Sequence, residues 1–132
     1  MSARKRKGSL TNLERALTRL EEALTVPQDA PLAVDGTIQR FEFAIELTWK
    51  SLKRVLADEG IETATPKEAI AEAFRARWID DEALWLSMLR DRNTTSHIYD
   101  EQTARQIYGR IGDYAPVMRT AWNALMRREG TG

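Results

Sequence analysis

The densest polar stretch in the chain is Arg90-Asp91-Arg92-Asn93-Thr94-Thr95-Ser96-His97-Ile98-Tyr99-Asp100, and it holds the only histidine. An imidazole titrates near neutral pH and moves protons in either direction. A guanidinium beside it offsets charge that builds on a phosphoryl oxygen. Metal-independent cleavage of an RNA phosphodiester needs a base for the 2′-hydroxyl, an acid for the leaving oxygen and a cation for the phosphorane. One chain supplies one imidazole, whereas a two-fold dimer supplies two in facing positions. The same spacing also fits a plain helix-end histidine satisfied by Asp100 or by a backbone carbonyl.

Other chemistries find less material. With one histidine and no cysteine, metal ligation falls to carboxylates, and position 94, three before His97, is threonine where a di-iron bundle needs glutamate. Glu42 and Glu46 lie one turn apart, spaced to hold a hard cation or position a base, or else to form an ion-paired helix face. No metal and no cofactor is therefore assigned. No glycine-rich phosphate loop is present. Gly109-Arg-Ile-Gly112 spells a KH-type clamp but falls in a helical register, where it reads as close helix packing. Phe41, Phe43, Trp49, Trp85 and Trp122 sit at core spacing.

The elements that must hold these residues are helical. Leu10, Leu13, Leu17, Leu20 and Leu24 make one stripe of a helix over Ser9–Thr25, which ends before Pro27 and Pro31. A long helix carries Val34, Ile38, Phe41, Ile45, Trp49, Leu52 and Leu56, with Phe43 and Leu47 widening its apolar face, and stops at Gly60. Thr65-Pro66-Lys67-Glu68 opens a short helix running to about Arg77 with N-cap, N1 proline and capping-box glutamate. A fourth helix starts at Asp80-Asp81-Glu82 and loses apolar register when a step of four from Met88 lands on Arg92. Asp100 is the expected N-cap of a last helix, kinked at Gly112 and Pro116. The predicted fold is all-α, an antiparallel up-and-down four-helix bundle with one additional short helix. Residues 1–8 read as a basic flexible tail, 9–128 as one domain and 129–132 as a C-terminal tail.

The 132 residues carry 20 Lys plus Arg against 20 Asp plus Glu, with 42% hydrophobic residues. Zero net charge excludes a protein that grips nucleic acid merely by being basic, so any such contact must be focal. No uncharged run approaches the ~20 apolar residues of a membrane helix, and the expectation is a cytoplasmic domain with no membrane role.

Arg92, four intervening residues and then His97-Ile98-Tyr99 resemble the Arg-x4-His-x-Tyr signature of HEPN domains of the HepT type. Phe41-Glu-Phe-Ala-Ile-Glu-Leu-Thr-Trp-Lys50 is similar to the second-helix hallmark of the subgroup called nucleotidyltransferase substrate-binding proteins, and Tyr99-Asp100 through Ala104, Ile107 and Tyr108 extends the likeness. The resemblance implies a homodimer whose two motifs face one cleft, and a minimal nucleotidyltransferase as partner. Gly8-Ser9 lacks the paired acids that would make this chain the transferase itself. The resemblance further implies RNA cleavage, with tRNA among the candidate substrates. Arg92 would bind the scissile phosphate and His97 would transfer protons. Asn93, Ser96 and Glu46 would be auxiliary and Tyr99 the site where the partner attaches AMP; Arg90 matches no family position and is read only as an RNA phosphate contact. The added phosphate would block the cleft and compete for Arg92.

The resemblance implies one of three roles: the toxin of a two-gene module acting as an endoribonuclease, a non-catalytic subunit presenting substrate to the transferase, or an interaction bundle without activity. Arg92 and His97 lie about 140° apart on a continuous helix. Their cooperation therefore requires the helix to bend or end near Thr94, or pairing across a dimer. Substrate capture would depend on local cations such as Arg75, Arg77, Arg90 and Arg92.

Overall fold

A computed structural model describes residues 3–96 and 100–131, with side chains from Arg6 to Glu129. His97 and Tyr99, the expected proton-transfer and modification residues, lie outside the described residues. Among the described residues the chain forms five helices: α1 (Ala3–Leu24), α2 (Ala33–Asp58), α3 (Pro66–Arg75), α4 (Glu82–Thr95) and α5 (Glu101–Thr131). All the regular structure among the described residues is helical.

The partners across each interface give the directions. Ser9 meets Ser51 and Arg6 meets Asp58, so α1 and α2 are antiparallel. Glu42 meets Thr95 and Glu46 meets Arg92, which sets α4 against α2, and Asp91 meets Arg110, which sets α5 against α4. The bundle is up-down-up-down, with α3 bridging α2 and α4. Helix α2 contacts all four others. That accounts for its long apolar run: Phe41, Ala44, Ile45, Leu52 and Leu56 are fully buried against Leu13, Leu17 and Leu20 of α1 and Ile111, Tyr114 and Met118 of α5.

The helix ends follow local chemistry. Gly60, at φ +86°, closes α2 in a Schellman turn, with Ile61 N donating to Leu56 O and Gly60 N to Ala57 O. The same two bonds close α3, but there Arg77 occupies the left-handed position. Thr65 Oγ1 caps α3 by accepting from Glu68 N at 3.1 Å, while the Glu68 carboxylate accepts from Ala64 N, one residue earlier than in a standard capping box. Asp81 caps α4, and Asp100 accepts from Gln102 N and Thr103 Oγ1 at the start of α5.

Three expectations change. Helix α1 begins at Ala3 rather than Ser9, because Arg6 finds carboxylates on two other helices, Asp58 and Glu129, and is no longer part of a loose tail. Helix α5 extends to Thr131 as one element, with Gly112 and Pro116 inside it. Gly109 and Gly112 do not mark close helix packing: a Cβ added at either would meet nothing within 4 Å, since both face outwards. Phe43 is not core; it is 62% exposed, while Phe41 and Trp85 are fully buried.

Candidate active site on helices α2 and α4

Helix α4 ends at Thr95, with Ser96 as its C-cap, and α5 starts at Glu101. The break near Thr94 required by the Arg92–His97 spacing is therefore present. After Leu89 the helix buries only two residues, Asp91 and Thr95, both polar. The end of α4 is consequently held by hydrogen bonds instead of an apolar face.

On the α2 side, Arg92 Nη2 lies 3.0 Å from Glu46 Oε1, and Nη1 donates to Ser96 Oγ at 3.0 Å. The other Glu46 oxygen accepts from Trp49 Nε1 at 3.0 Å and lies 4.0 Å from Lys50 Nζ. Thr95 Oγ1 donates to Glu42 Oε2 at 2.8 Å. Glu42 and Glu46 thus divide their work: one fixes the end of α4 and the other orients a guanidinium. Arg92 Nε is buried without a hydrogen-bond partner among the described residues. Beside this group a recess of about 360 Å³ is lined by Asp35, Gln39, Glu42, Thr95, Thr103 and Ile107, among others.

On the opposite side, Asp91 is 3% exposed and its carboxylate accepts from Arg110 Nε and Nη2, both at 2.8 Å, and from Tyr114 Oη at 2.6 Å. Tyr114 also shares a hydrogen bond with Ser87 and stacks on Phe41, with ring centroids 5.5 Å apart. Burial first, and the Asp91 carboxylate second, push the Tyr114 phenol above its usual range. The hydrogen bonds Arg110 donates to Asp91 raise its pKa further, so it stays cationic. Sequence reasoning missed this cluster because it stepped four from Met88 to Arg92. A step of three reaches Asp91, which continues the buried stripe.

The structure therefore groups Arg92, Glu46 and Ser96. Arg90 is exposed and donates to Ser87, away from that group, and Asn93 is exposed. No cluster of three or more His, Cys, Asp or Glu side chains spaced to hold a metal occurs among the described residues. Nor is any helix among them long and apolar enough to cross a membrane. The arrangement offers an oriented guanidinium on the helical turn immediately before the segment bearing the single imidazole.

Comparison with known proteins finds relatives over most of the chain. The profile of a family described as nucleotidyltransferase substrate binding protein like covers residues 8–127. A Haemophilus influenzae protein described as a probable ribonuclease HepT is 37% identical over 95 residues. The match takes in 68% of this chain and spans 64% of that relative's length. A crystal structure from Thermus thermophilus superposes with a TM-score of 0.81 at 38% identity, over 86% of this chain and 98% of that one. A second structure, from Haemophilus influenzae and said to reveal the fold of a substrate-binding domain of a nucleotidyltransferase, gives a TM-score of 0.79 at 29% identity. It covers 89% of this chain and 98% of that one.

Proposed function

Since the chain belongs to the nucleotidyltransferase substrate binding protein like family, we propose that it is a metal-independent endoribonuclease, the toxin of a two-gene module whose other product is a minimal nucleotidyltransferase. The observation that carries this reading is Arg92, oriented by Glu46 and Ser96 at the C-terminal end of α4, five residues before His97 in the sequence. The relative described as a probable ribonuclease supports it.

In this mechanism the RNA 2′-oxygen attacks the adjacent phosphorus and the bond to the 5′-oxygen breaks. His97 takes the 2′-hydroxyl proton, and a second imidazole protonates the 5′-oxygen. Products end in a 2′,3′-cyclic phosphate and a 5′-hydroxyl. Because the chain has one histidine, the second imidazole comes from another copy, which makes the working unit a homodimer. Arg92 neutralises the phosphorane, and Glu46 holds the guanidinium in place. Neutralisation follows when the partner transfers AMP from ATP to Tyr99 with release of pyrophosphate, placing a bulky anion two residues from His97.

The family description and the Haemophilus structure favour another reading, a non-catalytic subunit that presents substrate to the transferase. Expression in a bacterial host separates the two. The toxin reading expects growth arrest by the native chain, none by His97→Ala, rescue on co-expression of the transferase, and cellular RNA fragments ending in 2′,3′-cyclic phosphate. Normal growth and intact RNA at high expression would favour the subunit.

A further inference from the structure

We infer that the exposed face of α2 around Phe43, together with Arg15 and Arg19 of α1 and Arg40, binds a single-stranded stretch of RNA that leads into the Arg92 site; this rests on the nuclease reading. Phe43 is 62% exposed. It sits with Leu47 and Ala16 in a shallow cavity of about 260 Å³ whose rim includes Arg15, Arg19 and Arg40.

The cations of that rim are not neutralised by carboxylates among the described residues. Arg6, Arg92, Arg105, Arg110 and Arg119 each meet a carboxylate. Arg15 and Arg19 have no side-chain partner among the described residues, and Arg40 gives one N–H to the Arg19 carbonyl at 2.8 Å. In a chain of zero net charge, three guanidiniums without a carboxylate around one exposed ring form a focal cationic site. A second copy placed on this face by a two-fold axis would set the same cations against themselves. A polyanion complements them. Among polyanions, a nucleic acid strand also supplies unstacked bases for Phe43, since every base presents a π face.

The position adds a direction. Helix α2 lies between α1 and α4, and Phe43 precedes Glu46 by three residues, about 4.5 Å along the axis. Glu46 holds Arg92 at 3.0 Å. A strand crossing α2 from Arg15 and Arg19 over Phe43 therefore arrives at the proposed reacting phosphate.

The test measures anisotropy of a labelled 2′-O-methyl RNA 12-mer, which lacks the attacking hydroxyl, so that binding is read apart from cleavage. The variants are Phe43→Ala, Phe43→Trp and the triple change Arg15→Gln, Arg19→Gln, Arg40→Gln, all at exposed positions. Phe43→Ala should weaken binding about tenfold or more, and Phe43→Trp should recover it. The triple variant should lose about 2 from the slope of log affinity against log salt. Unchanged affinity and slope, with native cleavage of ordinary RNA intact, would overturn this surface and leave the nuclease reading standing. Conversion of a native dimer to monomer by Phe43→Ala in sedimentation would assign the face to a second copy instead. Neither binding nor cleavage by the native protein would sink both readings.

Discussion

Asp91 and Arg92 are neighbours that face opposite ways, and their partners show how the end of α4 is fixed. Arg92 is tied to α2 through Glu46, and Asp91 to α5 through Arg110 and Tyr114. Removing the buried carboxylate leaves Tyr114 Oη with Ser87 alone, while half-exposed Arg110 recovers water. Asp91→Ala should therefore cost about 2 kcal/mol in urea unfolding, and Asp91→Asn less, because the amide still accepts from both partners. Equal stability of native and alanine proteins would rule out the anchoring role. The residue types around Arg92 were legible in the sequence, and so was the helix break beyond it. Asp91 was not, because a buried carboxylate is intelligible only once Arg110 and Tyr114 are seen across the interface.

At the scale of elements, helix ends offer two measurable effects. Leu32, the N-cap of α2, is 80% exposed, has φ +69° and makes no capping bond through its side chain. Asparagine tolerates the left-handed region and removes the exposed apolar group. Leu32→Asn should thus stabilise by about 1 kcal/mol, raising Tm by about 3 °C. An unchanged or lower Tm would argue against strain at this residue. At the other end of the site, Thr103 first and the Gln102 amide second hold the Asp100 carboxyl below its usual range. A lowered folded pKa means that the cap's contribution is present above about pH 4 and is lost as pH falls through the lowered value. Asp100→Asn keeps a capping oxygen but does not titrate. Thermal melts from pH 5 to pH 2 should therefore show native stability falling more than that of Asp100→Asn; parallel curves would remove Asp100 from acid unfolding. Periodicity located α1, α2 and α5, because buried stripes of leucine and isoleucine are local signals, while capping residues located α3 and the start of α4. It misplaced Phe43, since an apolar residue beside a wide stripe has the same spelling whether or not a neighbour covers it. It also shortened α1, whose first turns depend on the distant Asp58 and Glu129.

For the whole molecule, a bundle centred on α2 leaves one side of that helix uncovered, and there Phe43, Glu46 and, through Glu46, Arg92 follow in order. Neutral overall charge made a focal contact with RNA the expectation. The cations foreseen for it included Arg75 and Arg90, yet Arg75 pairs with Glu72 and Arg90 with Ser87. The convergent group instead comes from α1 and α2, visible only after those helices are packed. Everything proposed for this chain depends on its cutting RNA by itself at the Arg92–His97 motif. The decisive experiment is a time course of purified protein with total tRNA in EDTA, beside a folded Arg92→Ala, His97→Ala variant. Fragments with 2′,3′-cyclic phosphate ends are expected from the native protein only. Intact tRNA at high protein excess, or equal cleavage by the double variant, would refute the nuclease reading.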